Sequence, residues 1–294
     1  MKKLFFSAAL FASTSSFVAA GDLLVTPAWL KDNLNDPKLV LFHVGARPEF
    51  EKEHIRGAQL VLPQDLSIPR AEGALVLQLL SSDALQGKLQ TLGVSDDSRV
   101  IVYFGSDWVT PATRVYFSID AAGLGEQVSI LDGGMPAWKA AAGAVTDEIT
   151  APHAPGKITV KARPDLVLGL DEVRAGLDAK SIDLIDARNT EFFDGRSAGS
   201  TPRAGHIPGA RSIPFASFAT EDLQMKPVAE VAALFKAARV EPGDTVVSYC
   251  HIGQQATMVY FAAKRLGLNA KVYDGSWDEW SRKADLKVEP ATVK

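Results

Sequence analysis

The sequence predicts an α/β protein made of two copies of one unit, each a mainly parallel sheet flanked by helices. Two observations carry that prediction. Short β-branched and aromatic runs alternate with helical stretches along the whole chain, the pattern of strands covered on both faces. The pattern also occurs twice. LFHVGARPEFEKEHIRGAQLV from Leu41 is answered by LIDARNTEFFDGRSAGSTPRAGHIPGARSIP from Leu184. RVIVYFGSDWVTPATRVYFSIDAAGLGEQVSILDGGMPAW is answered by DTVVSYCHIGQQATMVYFAAKRLGLNAKVYDGSWDEW. Arg47 pairs with Arg188 at an offset of 141, and Asp132 with Asp274 and Trp138 with Trp280 at 142. An offset held across insertions and gaps is the mark of a duplicated unit.

Each segment has a local reason. Residues 1–20 open with Lys2 and Lys3, continue apolar from Leu4 to Ala12, and end on the small residues Val18, Ala19 and Ala20. That order is expected of a secretory leader cut after Ala20, which places the mature chain in the periplasm or outside the cell. The apolar run is too short for a membrane span and is broken by Ser13 to Ser16. The first unit is expected over 21–143. In it VLFHV, VIVYF and QVSIL read as strands, and the helices between them lead to a glycine-rich turn before Trp138. Residues 144–164 carry Pro152, Pro155, Gly156 and Pro164, which break any helix, so they read as a linker laid over both halves. The second unit, 165–294, repeats the order with IDLID, TVVSY and AKVYD.

The bulk properties narrow the function. A chain of 294 residues suits two domains of ordinary size. Its formal charge is −4, and −6 without Lys2 and Lys3, with the basic residues scattered, so no nucleic-acid footprint is present. There is one cysteine, Cys250. In an oxidising compartment a lone thiol cannot form an internal disulfide. It is inert and buried, an intermolecular partner, or a reactive group.

Differences between the copies point to the chemistry. His54 and His206 sit in matching H-I-R-G-A and H-I-P-G-A elements; a histidine kept in both copies reads as a structural hydrogen-bonder. Asp186 and Arg188 read as a buried salt-bridged corner, with Gly45 at the aspartate position of the first copy. The loop after the second strand is Cys250-His251-Ile252-Gly253-Gln254-Gln255 in one copy. In the other it begins Gly105-Ser106, one of which takes the cysteine position, and continues with Asp107 and Trp108, which oppose an anion. Arg188 and His206 are eighteen residues apart against seven for Arg47 and His54. The extra eleven bring Arg196 and Arg203, which suits an anion-binding rim, although a solvated loop has the same composition.

A strand that turns at once into a helix gathers backbone N–H groups around one point at the positive end of the helix dipole. There the pKa of Cys250 is expected to be lowered, making it a reactive thiolate, and Gly253 permits the tight turn. A cysteine phosphatase needs an arginine as the sixth residue after its thiol; here that residue is Ala256. Sulfur transfer needs no such arginine, since a persulfide's outer sulfur can rest in the ring of N–H groups.

The two-copy plan, the DAR…HIPGA element, the C-x-x-G loop before a helix and the DGS-x-x-EW element together resemble the rhodanese (thiosulfate sulfurtransferase) family, in its tandem members. The resemblance covers essentially all of the mature chain. It implies two rhodanese-like domains, an active C-terminal one and a catalytically silent N-terminal one. It also implies ping-pong transfer of sulfur from thiosulfate or 3-mercaptopyruvate to cyanide or a thiol, with no metal or organic cofactor. Cys250 maps onto the family nucleophile. Arg196, in the D-G-R segment, resembles the arginine that holds the donor. The residues expected around the donor are then His251, Ile252, Gly253, Gln254, Gln255 and Ala256, the last contributing its N–H. Thiosulfate-type members carry Arg-Lys after the cysteine and mercaptopyruvate-type members Gly-Ser; His251-Ile252 matches neither. The usual Val-Thr is Gln254-Gln255 here, and the missing hydroxyl tilts the expectation to thiosulfate. His251 either lends partial positive charge toward a dianion below its ordinary pKa of about 6.5 or simply points to solvent. The partners expected are a small sulfur donor, a thiophilic acceptor and a thiol protein; the other reading is a non-catalytic persulfide carrier.

Overall fold

A computed structural model describes residues 23–72, 74–106, 109–149 and 154–289. The expected leader and the Asp107–Trp108 pair lie outside the described residues. The first half runs β1 (Leu24–Val25), α1 (Pro27–Asn33), β2 (Leu39–Val44), α2 (Arg47–Lys52), β3 (Ala58–Leu60), α3 (Ser82–Thr91), β4 (Arg99–Phe104), α4 (Thr110–Ile119), β5 (Val128–Leu131) and α5 (Gly134–Ala140). The second runs β6 (Val167–Leu168), α6 (Leu170–Asp178), β7 (Asp183–Asp186), α7 (Thr190–Phe193), β8 (Arg211–Ser212), α8 (Val228–Ala237), β9 (Thr245–Tyr249), α9 (Ala256–Arg265), β10 (Asn269–Tyr273) and α10 (Ser276–Arg282).

The sheets have the orders β1-β5-β4-β2-β3 and β6-β10-β9-β7-β8, and every pairing is parallel. Strand alternation explains why both faces are covered: Val100, Val102 and Phe104 join one buried cluster, while Ile101 and Tyr103 join the other. The order also fixes where a site belongs. From β7 the chain winds outward to β8, and from β9 it winds the opposite way to β10. In open parallel sheets the crevice at such a reversal, past the carboxyl ends of the strands, is where ligands bind. Cys250 is the first residue after β9, and Arg188 lies two residues after β7.

The halves meet through α4 and α9. Nine of the ten residues of α4 and eight of the ten of α9 are buried. Tyr116 packs edge-on against Phe261 and Phe117 against Tyr260, both with ring centroids at 4.9 Å, around a 2.8 Å hydrogen bond between the hydroxyls of Thr113 and Thr257. Each such aromatic pair contributes about 0.5–1.5 kcal/mol beyond its area burial. Asp132 accepts the Met225 N–H (2.8 Å) and Asp274 the Leu79 N–H (2.9 Å), each from the opposite half. The interface thus follows an approximate two-fold axis through the threonine pair. The segment after residue 153 is fastened to the first half, with Gly156, Lys161 and Arg163 donating to the carbonyls of Gln90, Ala122 and Ala121.

Register corrects the repeat alignment. His43 lies opposite Tyr103 in β2–β4 as Asp186 lies opposite Tyr249 in β7–β9. The tyrosine hydroxyls accept the N–H groups of Ile55 and Ile207, respectively. Phe50 stacks on His54 as Phe193 stacks on His206. His43, and not Gly45, therefore occupies the aspartate position. Gly45 falls at Arg188, and Arg47 does not match Arg188: it is an exposed residue of α2 facing Glu51. Phe50 and His54 are four residues apart and Phe193 and His206 thirteen, so the insertion is nine residues, not eleven. The shared arginine misled the sequence comparison; the shared phenylalanine is the true anchor.

Candidate active site

The same register decides what stands opposite Cys250. Tyr103 matches Tyr249, so the next residue, Phe104, holds the cysteine position; neither Gly105 nor Ser106 does. The Cys250 N–H donates to Ser276 Oγ (3.2 Å) and its carbonyl accepts the Trp277 N–H (2.9 Å). In the first half a side chain on Gly134, the counterpart of Ser276, would meet the Phe104 ring and carbonyl at 2.7 Å. Tyr103 and Thr113 are ten residues apart but Tyr249 and Thr257 only eight, and those two extra residues hid the match. Phe104 is fully buried in the core.

Around Cys250 the chain closes a ring. The N–H groups of Ile252, Gly253, Gln255 and Ala256 are directed at the sulfur. The His251 carbonyl accepts the Asp278 N–H at 2.9 Å, and Gln254 accepts from Thr257 Oγ1 at 2.7 Å while its amide donates to Thr110 at 3.4 Å. Gly253 has φ +80°, which a side chain disfavours, and a Cβ there would lie 3.0 Å from Arg114 and 3.1 Å from the Asp274 carbonyl. Ser248 Oγ donates to the Ala256 carbonyl at 2.9 Å, tying the end of the loop back to β9.

The thiol is fully buried. Its pKa lies above the ordinary thiol value and not below it as the loop position led us to expect: burial pushes it up, and the four N–H groups recover part of that shift. Of the two readings of His251, neither the charged ring nor the solvent-facing one describes the folded chain. Burial and the nearby Arg188 charge lower its pKa to about 4, so at neutral pH the ring is uncharged and lends no positive charge to a dianion. It packs edge-on against Phe192, with centroids at 4.5 Å.

The positive charge beside the thiol is Arg188. It is 1 % exposed and donates to both oxygens of Asp186, the shortest bond being 2.6 Å, and to the Gly205 carbonyl. Asp186 also accepts from the Tyr249 hydroxyl at 2.6 Å. The Arg188 guanidinium lies 4.6 Å from the Trp277 ring. Burial opposes its charge, but the hydrogen bonds and charge of Asp186 outweigh burial, and a Cys250 thiolate adds to them.

The insertion divides into two roles. Arg203 is not part of an anion rim: it donates to the carbonyls of Trp280, Ser281, Lys283 and Leu286 and so caps the end of α10. Arg196 is 65 % exposed and pairs with Asp194 at 3.3 Å. Gly199 brings the insertion against the ring pair; a Cβ there would lie 3.2 Å from Phe192 and 3.9 Å from His251. His206 and His54 hold the carbonyls of Phe193 and Phe50 through Nδ1, each at 2.7 Å.

Sequence reasoning missed Arg114, Ser276 and Trp277. The last two lie in the DGS-x-x-EW element, whose order already pointed at the loop. Arg114 had one signal, a lone charge in the otherwise apolar run ATRVYFSI.

A family profile for the rhodanese-like domain matches residues 26–141 and again 169–283. The thiosulfate sulfurtransferase of Gallus gallus is 32% identical over 254 residues, covering 85% of this chain and 86% of the relative. The mitochondrial thiosulfate/3-mercaptopyruvate sulfurtransferase 1 of Arabidopsis thaliana is 28% identical, covering 94% and 80%. Among solved structures, the anaerobic ergothioneine biosynthesis enzyme from Chlorobium limicola, in complex with trimethyl histidine, superposes with a TM-score of 0.80 at 22% identity, covering 92% of this chain and 70% of its own; that likeness is one of fold. The duplicated parallel sheets, the loop at the strand reversal and the sulfurtransferase relatives agree: the chain belongs to the rhodanese-like family, carries two copies of its domain, and is a sulfurtransferase.

Proposed function

We propose that the second domain moves a sulfane sulfur from thiosulfate to cyanide or a thiol through a persulfide on Cys250, and that the first domain is catalytically silent. The observation that carries this is the ring of four N–H groups aimed at the Cys250 sulfur, set against a buried phenylalanine at the matching position. The Cys250 thiolate attacks the outer sulfur of thiosulfate; a sulfur–sulfur bond forms, the old one breaks, and sulfite leaves with its electron pair. Cyanide then attacks the outer sulfur of the persulfide, thiocyanate leaves, and the thiolate is restored. The N–H ring stabilises the negative sulfur at each stage.

Arg196 is the proposed anchor for the donor's sulfonate, supported by its exposure and by the packing of nearby Gly199 toward His251. The acceptor in the cell is proposed to be a thiol, carried by a small molecule or a protein. Export with removal of residues 1–20 is proposed from the basic head, apolar run and small residues before Ala20. Among the described residues no helix is long and apolar enough to cross a membrane.

Intact-mass measurement tests the reading. Thiosulfate should add one sulfur, about 32 Da, at the thiolate, cyanide should remove it, and Cys250→Ser should take up none. Uptake by Cys250→Ser would sink the mechanism. A parallel series with 3-mercaptopyruvate decides the donor, and faster loading from it would overturn the choice of thiosulfate.

A further inference from the structure

The Cys250 loop is held from outside its own domain. Arg114, on α4 of the first half, is 0% exposed and reaches across the interface. Its Nη1 donates to the Gly253 carbonyl at 3.2 Å and to Asp274 Oδ1 at 2.7 Å, and its Nη2 donates to the Leu77 carbonyl. Asp274 is itself fixed by the Leu79 N–H at 2.9 Å, and its carbonyl accepts from Gln78 at 3.1 Å. Gly253 is where the ring can be lost. Its left-handed backbone separates the donors Ile252 and Gly253 from Gln255 and Ala256, and a flip of the following peptide would turn a carbonyl toward the sulfur. A charged donor on that carbonyl holds it outward.

The contact is also one-sided. With Thr113 and Thr257 matched across the axis, the counterpart of Arg114 is Met258, a fully buried apolar residue that offers no charge to the half whose loop begins with Phe104. Among the described residues, this pair supplies a cation only toward the loop that carries the thiol. We propose that Arg114 is a positioning residue for sulfur transfer, by which the first domain holds the Cys250 ring in its sulfur-binding form. This rests on Cys250 as the sulfur carrier.

The charged and titratable groups around the thiol are Asp186 at the end of β7 and Arg188 just past it, Glu191 acting on His251, Tyr249 and His251 on either side, and Arg114 with Asp274 against the loop. The test changes only Arg114, as Arg114→Gln and Arg114→Lys in the full chain. It reads the melting temperature, the pH profile of Cys250 alkylation by iodoacetamide, and the kcat and KM of sulfur uptake from thiosulfate. Loss of a charge-assisted hydrogen bond predicts that Arg114→Gln lowers kcat about tenfold or more, leaves KM within about twofold, and raises the alkylation midpoint by about one pH unit. Arg114→Lys keeps a charge near Asp274 without spanning all three partners, and should fall between. Wild-type kcat and midpoint in a folded variant, with only melting lowered, overturn the assignment in favour of a plain interface clamp. Should Arg114→Gln not fold, Arg114→Lys decides by the same readouts. Should the wild type take up no sulfur, the sulfur-carrier reading fails by itself, and the alkylation midpoint still decides whether Arg114 sets the loop.

Discussion

Phe104 and Cys250 occupy one position in two copies of the same fold, each the first residue past a tyrosine whose hydroxyl accepts an isoleucine N–H. One copy fills the place with a ring sunk in the core, the other with a thiol inside a ring of donors. The difference is therefore more than a missing nucleophile. Phe104→Cys should yield a folded protein whose intact mass still rises by a single sulfur after thiosulfate. Large-to-small replacement in a packed core costs about 3–5 kcal/mol, so a lower melting temperature should accompany it. Two sulfurs taken up per chain would show that the first loop also forms a competent ring.

The acid–base state of Cys250 gives a second expectation. Burial raises its pKa above the usual thiol range, and the four N–H groups recover only part of the shift. The reactive thiolate is then a minor species at neutral pH. Alkylation should rise about tenfold per pH unit through pH ~8.5 without levelling there. The same shift has a stability sign: a thiol that deprotonates later in the folded chain contributes stability that fades as pH rises past the unfolded value. A plateau in alkylation below pH ~8 would contradict this ordering of burial and hydrogen bonding.

The insertion was visible in the sequence, but the duty of its arginines was not. Four carbonyls at the end of α10 and beyond accept from Arg203, so Arg203→Ala removes a charged donor from all four, and only those of Trp280 and Lys283 keep a backbone N–H, from Lys283 and Leu286. Hydrogen bonds to a charged group are worth about 1.5–3 kcal/mol, and the variant should lose about that much stability. Hydrogen exchange should quicken through residues 195–205 and at the end of α10. Unchanged exchange there would mean that Trp277, whose indole donates to Thr201 and the Arg203 carbonyl at 3.1 Å, holds the insertion by itself.

These cases show what a sequence exposes. Strand alternation, duplication and the thiol loop are local patterns, and they were legible. Which arginine neighbours the thiol depends on register. Arg188 is placed by the pairing of Asp186 with Tyr249, and a chance match to Arg47 obscured it. Arg114 depends on the way the two halves dock, which no local pattern records. The direction of the Cys250 shift depends on a balance of burial against hydrogen bonds, and loop position alone reveals only the second of these.

His43 occupies the place of Asp186, and nothing there replaces the Arg188 pairing, because Gly45 stands at the arginine position. Its ring is 1% exposed, and neither nitrogen has a hydrogen-bond partner among the described residues. Burial, with the neighbouring His54, lowers its pKa from 6.5 to about 4, against a weaker opposing pull from Glu49. Between those values the unfolded chain binds a proton that the folded chain refuses. Stability should therefore fall as pH drops from about 6.5 to about 4, by up to about 1.4 kcal/mol per pH unit for this side chain. His251, whose pKa is also lowered to about 4, adds to the same slope. His43→Leu removes two unpartnered nitrogens and the proton together. Urea unfolding at pH 7, 6 and 5 should find it no less stable than the wild type at pH 7 and less sensitive to acid, with the remaining slope due to His251 and the carboxylates. An acid slope identical to the wild type would mean that His43 takes up its proton equally well in the folded and unfolded chains, with Glu49 offsetting its burial.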